Sequence, residues 1–297
     1  MSPRKVVVFG ITGVQGMSVA RALLSDPEQE WAVVGITRDA GSRGSKAAAE
    51  LGVTLAQGDL DDPASYAPAL EGAYGAFINA NYWATYRGDN AAEAKATEIK
   101  QSSSAVDAAL AAGVKHIVYS ALESFAPAQE LPHFDSKAAV VAHLKKAGAP
   151  ATPLYTSLYY SNILLGSGPV DFPFPADIVI PAFDAGQVGL WARAALRDPT
   201  WIGKDMYAAG DNITAGEMAR ALSDVVGKPV QARDLSREEF YALDKDGKID
   251  HELWLNYLAI VEGRWKRDVQ ASREIVPEAW DFKTWAENTP GVKVRFG

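Results

Sequence analysis

Residues 5–16, KVVVFGITGVQG, constrain the fold of this chain more than any other stretch. Val6, Val7, Val8 and Phe9 form a short apolar run of the kind that makes a buried parallel strand, and it leads straight into Gly10, Gly13 and Gly16. Glycines at such a turn let the backbone reverse sharply and come close to another group, where a Cβ would stand in the way. Met17, Val19, Ala20, Leu23 and Leu24 then recur at helical spacing, so a helix begins near Val14 with its unpaired N–H groups aimed back at the turn. A strand, a glycine turn and a helix N-terminus in that order make a site for a pyrophosphate, the clamp of dinucleotide-binding units. Glycine triplets also end ordinary strands; the position between strand and helix is what decides.

The alternation continues down the chain. Strand-like runs at 5–9, 31–37, 53–57, 76–79, 116–120 and 152–157 are separated by helical segments at 14–25, 43–51, 91–112 and 136–147. Gly113 closes the longest helix, and Gly148 with Pro150 closes the last. This order predicts an α/β fold, a Rossmann-type doubly wound parallel sheet, with residues 1–157 as a nucleotide-binding domain. Beyond Tyr159 the alternation is lost. Residues 166–181 carry four prolines, Pro169, Pro173, Pro175 and Pro181, and read as an irregular excursion. Helical segments follow at 185–197, 215–226, 237–243 and 251–262. They predict a smaller, mostly helical C-terminal region, residues 158–297, that covers the carboxyl ends of the strands and can return elements to the sheet. Its Trp254, Tyr257, Trp265, Trp280 and Trp285 read as core or as a partner surface, core being the safer reading.

Composition narrows the function classes. At 297 residues and 48% hydrophobic content the chain has ample material for a packed core. A net charge of −8 with no run of Lys and Arg argues against direct nucleic-acid binding. The chain has no cysteine, which excludes disulfides and thiolate chemistry, and its histidines, His116, His133, His143 and His251, show no metal-ligand spacing, so no metal is expected. Asp244 begins a stretch like a calcium loop, but the downstream ligands are missing. The N-terminal apolar run is too short for a signal peptide or a membrane span, and the expectation is a soluble, cytoplasmic chain with no membrane partner.

The second strand bears on which nucleotide is bound. An NAD enzyme usually presents Asp or Glu there to the ribose hydroxyls. Here the strand ends Ile36-Thr37-Arg38, offering a hydroxyl and a planar cation suited to a 2′-phosphate, with Arg43 and Lys46 close by. NADP(H) is the cofactor this favours. In the alternative, Arg38 is a solvated residue and Asp39 serves the ribose. After the third strand Asp59 and Leu60 would flank the adenine; alternatively Asp59 and Asp61 cap a helix before Pro63.

The spacing GxxGxxG in VFGITGVQG, with ITR at 36–38, NANYW at 79–83, KQ at 100–101, VYSALES at 118–124, HFDSK at 133–137, YYSN at 159–162 and ITAGEMARALSDVVGKPV at 213–230, resembles the NmrA-like family of atypical short-chain dehydrogenases/reductases, its NADP(H) redox-sensor members included. The resemblance implies an NADP-binding fold in which Gly10, Thr12, Gly13, Gln15 and Gly16 hold the pyrophosphate beside Val14 at the helix start. It implies that Thr37 and Arg38 read the 2′-phosphate, that Asn79, Ala80, Asn81 and Tyr82 line the ribose and nicotinamide, and that Lys137 reaches the nicotinamide ribose. On chemical grounds a lysine opening the helix after the fifth strand suits that role, since it can bond ribose hydroxyls and lower the pKa of a neighbouring acid.

Ordinary short-chain dehydrogenases carry YxxxK on that helix, and here His133 stands where the tyrosine would be. Imidazole, with an unperturbed pKa of ~6.5, can donate a proton at neutral pH. It can equally be a loop or cap residue after Pro132, and the regulatory members of the family also lack the tyrosine. Ser120, at the end of the fifth strand, would bond a substrate carbonyl or merely cap the strand, and Glu123 is a second acid close by. Tyr82, Trp83, Tyr86, Tyr159 and Tyr160 suggest an aromatic pocket for a small, flat organic substrate, with Tyr159 as an alternative proton donor. The expected function is therefore an NADP(H)-dependent oxidoreductase acting on a carbonyl, imine or alkene. The alternatives are a non-catalytic redox sensor with a protein partner and a non-redox isomerase on the same fold.

Overall fold

Val6, Val7 and Val8, with Phe9 directly after them, are completely buried, because the strand that ends at Val8 lies at the centre of a sheet with a neighbour on each side. The computed structural model describes residues 2–165 and 168–297. Its first twelve elements alternate strand and helix, except that two helices follow the fourth strand: β1 (Arg4–Val8), α1 (Val14–Leu24), β2 (Trp31–Thr37), α2 (Arg43–Glu50), β3 (Thr54–Gln57), α3 (Pro63–Leu70), β4 (Gly75–Ile78), α4 (Tyr82–Thr85), α5 (Ala91–Ala111), β5 (His116–Ala121), α6 (Pro132–Lys146) and β6 (Ala151–Tyr155). The later strands are β7 (Leu158–Tyr159), β8 (Val179–Phe183), β9 (Met206–Tyr207) and β10 (Asp211–Thr214). The later helices are α7 (Val188–Arg197), α8 (Ala215–Val226), α9 (Arg237–Lys245), α10 (His251–Val261), α11 (Val269–Ile275), α12 (Phe282–Asn288) and α13 (Pro290–Phe296).

The fold is the α/β, Rossmann-type arrangement that the alternation predicts. Six parallel strands run in the order β3-β2-β1-β4-β5-β6, with β9 beyond β6 at the edge. Val6 pairs with both Val33 of β2 and Gly75 of β4, so the order reverses between β1 and β4, and the loops leaving those two strands part to opposite faces. Such a switch point is where open parallel sheets take their ligands.

The chain divides into two compact units. One is Met1–Ser124 with Pro132–Thr156 and Gly186–Met206; the other is Phe125–Leu131 with Ser157–Ala185 and Tyr207–Gly297. In the first, α7 lies against α1 at very short range. Gly189 is what permits it, since a Cβ there would come within 2.7 Å of Val19 Cα. The Ser18 hydroxyl donates to the Gly186 carbonyl (2.6 Å) and accepts from the Gly189 amide (2.9 Å), pinning the two helices.

The second unit holds a three-stranded sheet, β10-β8-β7, antiparallel and then parallel, together with α8 to α13. Phe174, Phe240, Phe282 and Trp285 are buried in its core, where Trp285 meets Phe282 and Tyr160, while the half-buried Trp254 stacks on Phe240 at 5.5 Å and the half-buried Tyr257 packs on Phe174 at 5.4 Å. Capping boxes, Thr214 with Glu217 and Ser236 with Glu239, start α8 and α9.

Several boundaries differ from the sequence expectation for identifiable reasons. Gly166, where the proline-rich stretch was expected to begin, lies outside the described residues, and the end of that stretch is strand β8 rather than irregular chain. Pro181 is tolerated inside β8 because β7 pairs only with Ala182 and Phe183, so the donor that proline lacks is not required there. Helix α6 starts at Pro132, four residues before the expected start at 136, with proline's fixed φ suiting the first turn. Helix α3 escaped the pattern reading because Pro68 interrupts it; Asp62 caps it and Pro63 opens it. Among the described residues no helix is long and apolar enough to cross a membrane.

Candidate functional site

The loops of the switch point bring the predicted residues of the first unit together. Gly10 has φ +70°, a conformation side chains disfavour, and a Cβ on it would sit 3.1 Å from the Asn79 carbonyl, so the β1 and β4 loops nearly touch. Gly16 faces the Gly10 backbone, where a Cβ would lie 2.7 Å from its carbonyl carbon. Gly13 is the N-cap of α1 and supplies no side-chain acceptor to that helix end, which carries no acidic residue in its first turn. Thr12 and Val14 are exposed on this turn, whereas Gln15 is buried beneath it. The cradle is thus glycine backbone at a helix N-terminus, the surroundings a pyrophosphate fits.

At the end of β2 the two residues expected to read a 2′-phosphate part company. The Thr37 hydroxyl is buried and committed, 2.9 Å from Ser45 Oγ and 3.2 Å from the Asp39 carbonyl, so it orders the turn rather than facing outward. Arg38, Arg43 and Lys46 are exposed, and no ion pair engages them among the described residues. Asp39 spends one carboxylate oxygen on the Gly41 amide (2.8 Å). Gly44, in the first turn of α2, lies so close to Thr12 that a Cβ would come 2.9 Å from the Thr12 Cβ, which sets these cations beside the glycine turn.

Asp59 and Leu60 are half-buried after β3. The helix that follows is capped by Asp62, whose carboxylate accepts from the Ala64 amide at 3.2 Å, and not by Asp59 or Asp61. Asp59 instead accepts from the Asp61 amide at 3.0 Å, and Asp61 from the Gln101 side chain at 3.0 Å.

Lys137 does not open its helix; it lies in the second turn of α6, on the same face as His133 one turn earlier. Its ammonium is buried and lies 3.0 Å from Glu98 Oε1, 3.4 Å from the Ala80 carbonyl and 3.5 Å from Asn79 Oδ1. Glu98, on α5, also accepts from the Tyr82 amide at 3.2 Å and from the Ser136 hydroxyl. Sequence reasoning missed Glu98. Its sign was present: Ala94, Glu98, Ser102, Ala105 and Ala109 form the buried stripe of α5, and a carboxylate on such a stripe needs a cation.

His133 sits in the first turn of α6, not in a loop, among the aromatic residues that follow β4. Its ring is 5.2 Å from Tyr82 and 5.1 Å from Trp83, while Tyr82 stacks on Tyr86 at 5.6 Å. Trp83 is 39% exposed, so the cluster reaches the surface. Asp135 is held between Ser124 Oγ (2.5 Å) and Lys95 Nζ (3.6 Å). Ser120, the penultimate residue of β5, is buried. In the register that pairs Ile78 with Tyr119, Ser120 comes next on β5 and Asn79 follows directly after the end of β4. The phenol of Tyr119, pushed well above its ordinary pKa first by burial and then by the Glu98 charge, stays protonated in the interior. Tyr159 belongs to the second unit, where its ring meets Phe183 at 5.6 Å.

The NmrA-like family model matches residues 2–284. An NmrA-like family domain-containing oxidoreductase of Aspergillus flavus, lnaB, is 42% identical over 125 residues, 40% of this chain and 35% of that protein. A second from the same organism, lnbB, is 26% identical over 295 residues, 90% of this chain and 86% of that protein. The chain thus spans about a third of the length of the first and most of the second. Among solved structures, NmrA, a negative transcriptional regulator, in complex with NADP superposes with a TM-score of 0.75 at 19% identity, covering 97% of this chain and 96% of that one. At that identity the likeness is one of fold.

Proposed function

This chain belongs to the NmrA-like family, and on that premise we propose that it is a cytosolic NADP(H)-dependent oxidoreductase acting on a small, flat organic carbonyl, imine or activated alkene. The carrying observation is the meeting of the glycine turn with the β4 loop, where a buried lysine from α6 reaches toward Asn79 and Ala80. Gly10, Gly13 and Gly16 would take the pyrophosphate, Arg38 with Arg43 and Lys46 the 2′-phosphate, and Asn79, Ala80 and Lys137 the nicotinamide-side ribose. The oxidoreductases among its relatives support redox chemistry.

A nicotinamide held there would supply hydride to the substrate. The chain's own part is to orient that substrate and to return the proton. The partly exposed Trp83 and the rings around it suit a planar aromatic molecule. His133, embedded in the same cluster, would donate the proton to the substrate heteroatom. His133→Phe keeps an aromatic ring in the cluster and removes the proton, and should cut turnover about a hundredfold while sparing NADPH binding. The experiment is an NADPH titration followed by an oxidation assay on aromatic carbonyls, imines and enones. NADPH bound but never oxidised, with His133→Phe neutral, refutes the catalytic reading.

The absence of tyrosine at position 133 favours a second reading, a sensor that binds NADP(H) and changes partner. It predicts different affinities for NADP+ and NADPH and a change of assembly between them.

A further inference from the structure

We propose that Glu98 is the positioning residue of this site: it holds the Lys137 ammonium and the start of α4 in one fixed arrangement, so that the lysine meets the nicotinamide-side ribose already oriented. This rests on the reading that the switch point takes NADP(H). The pair is too buried to be an ordinary surface bridge, with Glu98 1% and Lys137 6% exposed. Two buried charges are costly unless their remaining bonding capacity is satisfied, and an apolar pair of similar size often serves stability as well.

Glu98 is satisfied from two separate elements. Its Oε1 accepts from Lys137 Nζ at 3.0 Å and from the Tyr82 amide at 3.2 Å, and its Oε2 accepts from Ser136. Asn81 gives α4 no side-chain cap, so Glu98 takes that part from another helix and ties the aromatic cluster to the lysine. The other two acceptors of Lys137, at 3.4 and 3.5 Å, are long, which leaves the ammonium with donor capacity for a ribose hydroxyl. Without Glu98 the lysine must be ordered at the moment of binding, at a cost expected to weaken affinity about three- to tenfold.

The test compares the full chain with Glu98→Gln, Lys137→Met and the double variant, titrated with NADPH and with adenosine 2′,5′-bisphosphate, the fragment lacking the nicotinamide ribose. Glu98→Gln should weaken NADPH about three- to tenfold, leave the fragment within about twofold, and alter the fluorescence of bound NADPH. Added to Lys137→Met, it should cost nothing further, because it acts through that lysine. Equal binding of NADPH by Glu98→Gln and wild type overturns the proposal, as does equal loss of both ligands, which marks a merely structural role. If either single variant does not fold, the double variant, with both charges gone, decides against wild type: unchanged NADPH binding, or equal loss of NADPH and the fragment, overturns the proposal. Failure of the wild type to bind NADPH overturns the cofactor reading and this proposal with it.

Discussion

Alanine at Gly13 and at Gly16 separates what the fold asks of the glycine turn from what a bound nucleotide asks of it. At Gly16 a Cβ would lie 2.7 Å from the Gly10 carbonyl carbon and 2.8 Å from Ile11 Cα. Both are backbone atoms that cannot swing aside, so the turn itself must move. Overpacking of this kind costs about 1–3 kcal/mol, and the better helix propensity of alanine returns at most ~1 kcal/mol. Gly13 is different. Its φ of −89° and ψ of 168° suit any residue, and the nearest atom to a Cβ is the Gly10 carbonyl oxygen at 3.4 Å. The fold should therefore lose only about 0.5–1 kcal/mol, the usual cost of alanine at an N-cap. What remains to require glycine there is the approach of a phosphate to the first turn of α1. Gly13→Ala should keep a nearly wild-type urea midpoint yet bind NADPH at least about tenfold more weakly, equivalent to ~1.4 kcal/mol. Gly16→Ala should lose both stability and binding. Urea unfolding and energy transfer from the eight tryptophans to NADPH read the two quantities on one sample. Gly13→Ala binding NADPH within twofold of wild type would refute the close-approach reasoning, and a fully stable Gly16→Ala would refute the steric one.

Further outcomes follow from other parts of the molecule. His116, whose Nε2 lies 2.8 Å from Thr152 Oγ1, has its pKa lowered by burial to about 4, with Asp198 opposing. The unfolded chain therefore binds a proton that the folded one refuses between about pH 6.5 and 4, and stability should fall as pH drops through that window, by about 2 kcal/mol from pH 7 to 5. His116→Gln should remove this part of the slope in urea unfolding, and an unchanged slope would contradict it. Arg38→Ala should weaken NADPH about ten- to hundredfold and leave NADH unchanged, as judged by parallel titrations; equal weakening of both would remove Arg38 from the 2′-phosphate. Asp211→Ala strips the acceptor from the Tyr160 hydroxyl (2.9 Å) and the Phe282 amide (2.6 Å) in the second unit. Thermal and urea unfolding should show a loss of about 2–4 kcal/mol, the cost of two buried donors left unpaired.

The sheet was legible because its information is local. Residues 5–24 change from a strand-like run to a helical period across a glycine turn, and the same change recurs through β6, so the α/β class and the clamp could be read within short windows. Helices α11, α12 and α13 could not, since each is seven residues long and too short to show a period; the aspartate caps at Asp268 and Asp281 were the only local signs of the first two. For Tyr159 the signs in the sequence are its ring and the YYSN motif, and neither says which unit a residue joins; it belongs to the second.

The Glu98–Lys137 pair was hidden for a different reason: 39 positions separate its members, and no window spans them. Yet the chain constrains the pair from one side. Small residues at 94, 102, 105 and 109 mark the face of α5 that packs closely, and Glu98 occupies the same face. A carboxylate placed there is either paired or strongly destabilising. A cation had to come from an element packed on α5, and α6, with Ser136 and Lys137 fully within the interior, supplies it. The stripe required burial, and burial required a partner. The lysine expected to serve the cofactor is therefore also the one that makes Glu98 tolerable, so a substitution at either residue bears on the fold and the site together.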